Sequence, residues 1–307
     1  MSGVAPIDQA MLGGCAPPRV AVDADKEGRG QLLVLAGGTE VAGAAILTGV
    51  AGLRVGAGKL QMAVAPPIAI PLALAVPEAR IIAVAETDGE IAPDAASEIG
   101  DELAGADAVV IGPGMLDETA AGALAGRVLK RARDAALVID AGALTGLTEH
   151  RDAVRAAGGR LVVTPHAGEM AQLSGRSRDA VEADPLRAAR ETAAELQAVV
   201  VMKGAETLVV TPSGQAWSHR SELPGLGTSG SGDVLAGAIG GLLARGCTPV
   251  GAAAWGVALH ARAGALLAER VGSLGFLARE LLDELPRALE AMSGGATSRR
   301  SRRPAAR

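Results

Sequence analysis

The feature that most constrains this chain is a recurring unit: a short apolar run rich in β-branched residues, closed by Gly or Pro, then a helical pattern. The runs fall at residues 31–36, 60–65, 81–85, 108–112, 136–140, 161–164, 198–203 and 207–211. Most are continuously apolar rather than alternating, the pattern of strands buried on both faces. Helical patterns lie between or after them at 43–55, 118–133, 185–197, 233–245 and 250–269. Repeated strand–helix order predicts a mostly parallel sheet covered by helices on both sides, an α/β fold. Residues 198–211 depart from it. Two apolar runs separated by Gly204, Ala205 and Glu206 read as a hairpin, so the sheet gains an antiparallel edge.

With no internal repeat or long linker, residues 26–291 are expected to form one domain, preceded by a flexible segment, 1–25, and followed by a disordered basic tail, 292–307. The net charge is −5, yet the last nine residues hold five Arg and no acid, so the body is more acidic than that figure indicates. An acidic body argues against a nucleic-acid surface. Aromatic residues point the same way: Trp217, Trp255 and Phe276 are the whole complement, with no Tyr, too few for base-stacking platforms. Cys15 and Cys247 form no metal-binding spacing, and a reducing compartment is the simplest expectation. The first basic residue is Arg19, and the longest apolar stretch, 61–77, is interrupted by Pro66, Pro67 and Pro71. Neither a secretory signal nor a membrane span is therefore expected, and the protein is expected in the cytoplasm.

Ligands of open α/β sheets bind beyond the carboxyl ends of the strands. Four segments there combine glycine with polar groups: AGGTEVAGA (36–44), IGPGMLD (111–117), TPHAGE (164–169) and LGTSGSGD (226–233). The common nucleotide fingerprints fail. Gly58-Lys59 lacks the first glycine and the Ser/Thr of a P-loop, and Gly225, Gly227 and Gly230 neither follow a strand nor precede an acid at the required distance. Gly230, Ser231 and Gly232 instead open an apolar helix, an arrangement that offers backbone N–H groups and a positive dipole end to a phosphate. Asp233 beside them is suited to align a hydroxyl that attacks phosphorus; as an ordinary first-turn acid it would merely stabilise the helix, and the dipole would leave it a weak base.

Lys203, one of four lysines, ends a buried strand and calls for an anionic partner, unless it snorkels to water. Lys203, Gly204, Ala205, Glu206 and Thr207 are candidates for nucleotide contacts. His166 and Glu169 follow a Thr-Pro turn; either they serve a substrate, with Glu169 holding water on Mg²⁺, or they belong to the start of a helix. Asp140 ends a strand and either meets ligand or caps the next helix, and Gly114 lies in a turn on which a ligand can rest.

Together these segments resemble the ADP/ATP-dependent NAD(P)H-hydrate dehydratases of the ribokinase-like superfamily. The matching stretches are 36–59, IGPGM (111–115), VIDAGAL (138–144), TPHAGEM (164–170), VVMKGAETLVV (200–210) and GTSGSGDVLAGAIGGLL (227–243), in family order over roughly residues 26–289. The resemblance implies a three-layer α/β/α ribokinase-like fold and a metabolite-repair lyase. That enzyme restores NADH or NADPH from the S epimer of the hydrated cofactor, using ADP or ATP with Mg²⁺ to phosphorylate the ring hydroxyl and eliminate phosphate. By position it implies Ala44, Gly114, His166 and Asp233 at the hydrated cofactor. It puts Lys203, Gly204, Ala205, Glu206, Thr207 and Gly232 at the adenine nucleotide, and Gly230, Ser231 and Gly232 in an anion hole. A separate epimerase upstream and a homotetramer are further implications, and no companion epimerase domain is expected within the residues before the match.

Departures from the family pattern are Glu40, Val41 and Ala42, where an aromatic or Met and a Pro are usual, and Ser229 and Ser231 in place of Gly and Thr; the Asn often found upstream of the anion hole is absent. Two other readings stay open: a ribokinase-like kinase of a small alcohol, and a non-catalytic nucleotide sensor.

Overall fold

The computed structural model describes residues 3–21 and 25–293. Twelve strands are present: β1 (Ala5–Pro6), β2 (Gln31–Leu35), β3 (Lys59–Val64), β4 (Ala79–Ala83), β5 (Glu86–Thr87), β6 (Glu90–Ile91), β7 (Ala108–Ile111), β8 (Ala136–Ile139), β9 (Leu161–Val163), β10 (Val199–Met202), β11 (Glu206–Val210) and β12 (Ala216–Arg220). Ten form one sheet in the order β1-β12-β11-β10-β9-β8-β7-β2-β3-β4, while β5 and β6 make a separate hairpin. Every run predicted as a strand is one. Only β11 runs against the others, pairing antiparallel with β10 and β12. The predicted hairpin is therefore β10–β11, and β12 and β1 extend the sheet beyond it.

Alternate strand residues feed two cores. Leu32, Val34, Val110 and Val138 join one packed by helices Ala42–Arg54, Ser231–Ala244, Pro249–Arg270 and Ala278–Ser293. Leu33, Leu35, Val109 and Ile111 join the other, beneath helices Glu118–Arg131 and Pro185–Leu196. Helix Pro249–Arg270 is long and apolar enough to cross a membrane by length and composition, but 72% of its most apolar window is buried in the protein. It is a core helix.

Helix Ser231–Ala244 is pressed between the sheet and helix Ala42–Arg54 by glycine. A Cβ on Gly240 would lie 2.3 Å from Val110 of β7, one on Gly237 2.1 Å from the Thr48 carbonyl, and one on Gly241 2.5 Å from the Gly52 carbonyl. The helices thus meet backbone to backbone at their closest points, and the N-terminus of Ser231–Ala244 is fixed over the sheet.

The expectation of a flexible segment over residues 1–25 is corrected for its described part. β1 pairs in parallel with β12, helix Gln9–Gly14 buries Leu12, and the Trp255 indole donates to the Leu12 carbonyl at 3.1 Å. A two-residue strand and a one-and-a-half-turn helix carry too little periodicity to be read in advance. Met292 and Ser293, assigned to the tail, complete the last helix; residues 294–307 lie outside the described residues.

Gly237→Ala is expected to lower the midpoint of thermal unfolding strongly, by the equivalent of about 3 kcal/mol or more, because backbone must move to admit one methyl group. Gly43→Ala, with open space around its Cβ, is expected to leave the midpoint unchanged or slightly raised. Equal effects of the two in a melting experiment would refute the backbone clamp.

Candidate active site

Five adjacent parallel strands end in a row, and the residues just past them are Ala36, Gly112, Asp140, Thr164 and Lys203. The chain order reverses between β2 and β7, where open α/β sheets leave a crevice. The loops there are joined: Gly37 N–H donates to the Pro113 carbonyl at 2.8 Å, and Gly38 N–H to the Gly114 carbonyl at 3.2 Å. Gly114 has φ +70°, and a Cβ on it would stand 2.5 Å from the Ala44 methyl. Ala44 is buried beneath this turn, so the structure joins these two expected substrate contacts but leaves the Ala44 side chain facing the loop.

The turn expected from the sequence to receive an anion sits above the same row. Gly230, at φ +84°, is the N-cap of helix Ser231–Ala244, a left-handed conformation that glycine adopts without strain. Ser231 follows, buried, its hydroxyl 2.8 Å and its carbonyl 3.1 Å from Nε2 of His260. Burial pushes His260 down to about 4, so it is neutral near pH 7 and Nε2–H donates to the Ser231 carbonyl. The Ser231 hydroxyl can accept from the same nitrogen and turn its own hydrogen toward an anion. His260 is a site residue that sequence reasoning missed. Its only signal there is a histidine in an apolar helix.

Beneath the turn lies a charged cluster. The Lys203 ammonium donates to Asp140 Oδ1 at 2.8 Å and stands 3.4 Å from Glu169 Oε2. The Thr164 hydroxyl donates to the same Asp140 oxygen at 2.7 Å. Burial disfavours the Lys203 charge, but Asp140 and Glu169 outweigh it and raise the group above its ordinary value, so Lys203 is a cation. A Cβ on Gly232 would lie 3.6 Å from Lys203 Nζ and 3.9 Å from Asp140 Oδ2. The bare Gly232 backbone therefore faces a fixed positive charge. Lys203 is a partly buried, paired cation held at the cavity wall.

Asp233 is in the first turn of the helix, one oxygen 3.8 Å from where a Cβ on Gly230 would be. Among the described residues its carboxylate takes no hydrogen bond or ion pair. Burial, then the Asp140 charge, raise it against the pull of Lys203 to about 7. Burial and the neighbouring Asp140 charge thus outweigh the acidifying helix N-terminus expected from the sequence.

His166 accepts at Nδ1 from the N–H groups of Gly168 and Glu169, and Glu169 Oε2 accepts from the His166 N–H at 2.7 Å. The pair is a reciprocal cap of helix Ala167–Ser174, and it leaves the His166 ring half exposed. Glu169, expected as a holder of metal-bound water, has this cap and Lys203 as its partners. Among the described residues no three His, Cys, Asp or Glu side chains converge as a metal cage.

Two cavities meet at His166. The larger, about 670 Å³, is lined by Lys203, Gly204, Ala205, Thr207, Ser231 and Gly232, with Leu226, Leu235 and Val257 as aliphatic walls. The smaller, about 330 Å³, is bordered by Met115, Gly142 and Glu169. Of the expected nucleotide contacts, Glu206 alone does not line the larger cavity; it faces Arg220 across β11–β12. Asp140 and Thr164 hold Lys203 in place, a role the sequence does not assign to either. An acid closing an apolar strand is the available signal for Asp140.

Known proteins bear on this geometry. The model of a family described as NAD(P)H-hydrate dehydratase matches residues 32–287. An ADP-dependent (S)-NAD(P)H-hydrate dehydratase of Xanthomonas campestris is 48% identical over 290 residues, covering 91% of this chain and 95% of the relative. A bifunctional NAD(P)H-hydrate repair enzyme Nnr of Moorella thermoacetica is 37% identical over 88% of this chain, which spans 51% of that relative's length. In structure, an ADP/ATP-dependent NAD(P)H-hydrate dehydratase of Bacillus subtilis, co-crystallized with ATP/Mg²⁺, superposes with a TM-score of 0.76 at 27% identity, covering 95% of this chain and all of that one.

A carboxyl raised on folding binds protons that the unfolded chain has released, so Asp233 costs stability that grows as pH rises from about 4 and levels off above about 7. Asp233→Asn is therefore expected to melt a few degrees higher than the native chain at pH 8, the difference closing toward pH 4. A melting series with no such pH-dependent gap would contradict the buried, unpaired carboxylate.

Proposed function

The chain belongs to the NAD(P)H-hydrate dehydratase family, and on that premise we propose that it dehydrates the S epimer of hydrated NADH or NADPH, consuming an adenine nucleotide and repairing the cofactor. The observation that carries the reading is the convergence at one helix N-terminus of a raised, unpaired Asp233, a fixed Lys203 cation and bare Gly232 backbone.

The nucleotide occupies the larger cavity, its rings against aliphatic walls because the chain has almost no aromatic residues to stack on them. Its terminal phosphate rests on the Gly230–Gly232 turn beside Lys203. The hydrated nicotinamide ring lies toward Gly114, Ala44 and His166, its hydroxyl directed at Asp233. The hydroxyl oxygen attacks the terminal phosphorus, the bond from phosphorus to the leaving nucleotide oxygen breaks, and Asp233 takes the hydroxyl proton. Phosphate then departs with the carbon–oxygen bonding pair while the neighbouring ring carbon loses a proton, restoring the dihydronicotinamide double bond. ADP gives AMP, and ATP gives ADP. The backbone N–H groups and Lys203 stabilise charge on the transferring group throughout.

Mg²⁺, when bound, neutralises phosphate charge. A site without a protein cage of three acidic or imidazole side chains suits a cation carried by phosphates and water, and no residue of this chain is assigned to it. The proposal extends to a cytoplasmic homotetramer fed by a separate epimerase. Helix Pro66–Ala75, with Ile70 and Leu74 73% and 79% exposed, offers apolar surface that contact between copies would cover.

Supplying the protein with hydrated NADH, Mg²⁺ and ADP or ATP is expected to restore dihydronicotinamide absorbance only when nucleotide is present. No recovery with either donor sinks the reading. Turnover with a vitamin alcohol but not the hydrated cofactor would instead identify a kinase. Asp233→Asn is expected to keep nucleotide binding and lose turnover by at least about 100-fold. In the native chain kcat/KM is expected to rise with pH through a midpoint near 7, as the base loses its proton.

A further inference from the structure

We propose that Asp140 is a positioning residue of this site, anchoring the Lys203 ammonium beneath the anion-binding turn and setting the charge environment in which Asp233 takes up its proton. The inference rests on the phosphoryl-transfer reading but concerns a residue to which that reading gives no role.

Three observations place Asp140. First, it is one of two carboxylates among the buried polar residues of the described chain, and the other, Glu284, is remote from the site and paired with Arg270 and Arg287. Burying a carboxylate costs several kcal/mol unless it is compensated. Here Oδ1 receives both the Thr164 hydroxyl and the Lys203 ammonium, while Oδ2 is directed toward Gly232.

Second, the backbone is shaped to bring it there. Gly112 has φ +113°, and a Cβ on it would stand 1.9 Å from the Asp140 carbonyl, so only glycine admits this approach of β7 and β8 beyond their ends. Ala141, the next residue, holds φ +50°, a left-handed conformation uncommon outside glycine. Third, Asp140 Oδ2 lies 3.9 Å from where a Cβ on Gly232 would be, beside Asp233, and its charge raises that group while Lys203 lowers it.

The groups around Asp233 come from separate elements. Asp140 follows β8, Lys203 follows β10, and Glu169 belongs to helix Ala167–Ser174 and faces Lys203. His260, on helix Pro249–Arg270, is neutral. Removing Asp140 takes away the like charge that raises Asp233 and releases Lys203 from its 2.8 Å partner. Both changes leave Asp233 next to a cation compensated by Glu169 alone and make it a poorer base. They also let the Lys203 ammonium drift from the turn.

The test follows the Asp233 carboxyl directly, by carbon NMR titration of the free protein labelled at aspartate, with Asp233→Asn to assign the signal. Asp140→Asn is expected to move the Asp233 midpoint down by about one pH unit, the scale on which a neighbouring charge acts. Asp140→Ser removes the same charge and carries the test if the Asn variant does not fold. Lys203→Gln is expected to move the midpoint the opposite way. A role confined to packing would not give opposite shifts for opposite charges.

With the hydrated cofactor as substrate, the acid limb of kcat/KM is expected to follow the shift in Asp140→Asn, and KM for the nucleotide to rise several-fold. An Asp233 midpoint unmoved in folded Asp140→Asn or Asp140→Ser overturns the proposal even if the native chain turns over. Native protein that shows the opposite NMR shifts but no turnover refutes the dehydratase reading and leaves the electrostatic assignment standing.

Discussion

Everything at this site depends on backbone meeting backbone along helix Ser231–Ala244. Gly237 and Gly241 bring it against Thr48 and Gly52 of helix Ala42–Arg54, and Gly240 sets it down on Val110 of the sheet. Contacts made by backbone have no side-chain rotamers to freeze, so the position of the helix N-terminus is fixed with little entropic cost. Its N–H groups are thus aimed before any phosphate arrives, the condition under which dipoles stabilise a transition state most strongly. The glycines of the turn and those of the helix serve one purpose: one set presents backbone to a ligand, the other holds that backbone still.

Upon this scaffold the electrostatics are built from the sheet. Strand adjacency places Asp140, Thr164 and Lys203 side by side although Asp140 and Lys203 are 63 residues apart in the chain. A buried ion pair is poor evidence for stability. This one is better understood through its neighbours: it keeps a cation beneath the Gly230–Gly232 turn and puts a negative charge near Asp233. The helix N-terminus alone would acidify Asp233. Burial and Asp140 oppose that and hold the Asp233 carboxyl near 7.

The architecture is legible in the sequence because strands buried on both faces leave continuous apolar runs, and the expected strands among residues 31–36 to 207–211 all form. β12 leaves no such run. Its sequence, Ala-Trp-Ser-His-Arg, mixes apolar and polar residues because His219 borders the larger cavity while Trp217 packs on the core. At the site, Gly230–Gly232, Asp233 and Lys203 announce themselves through local pattern: glycines before a helix, and a cation at the end of a buried strand. The roles of Asp140 and His260 cannot be read that way. Each is defined by a partner on a distant element, Lys203 for one and Ser231 for the other. The basicity of Asp233 escapes a sequence reading for the same reason, since a local dipole is visible there and a neighbour from β8 is not.

The docking of the N-terminal segment has an optical consequence. The chain has no Tyr and only two Trp, and both indoles belong to residues on its seam: Trp217 stands opposite Ala5 in the β1–β12 pair, and Trp255 donates to Leu12. Indole emission therefore comes wholly from residues at the place where the first residues meet the body. The molecule carries its own reporter for release of that segment, read against a background in which no other side chain emits strongly.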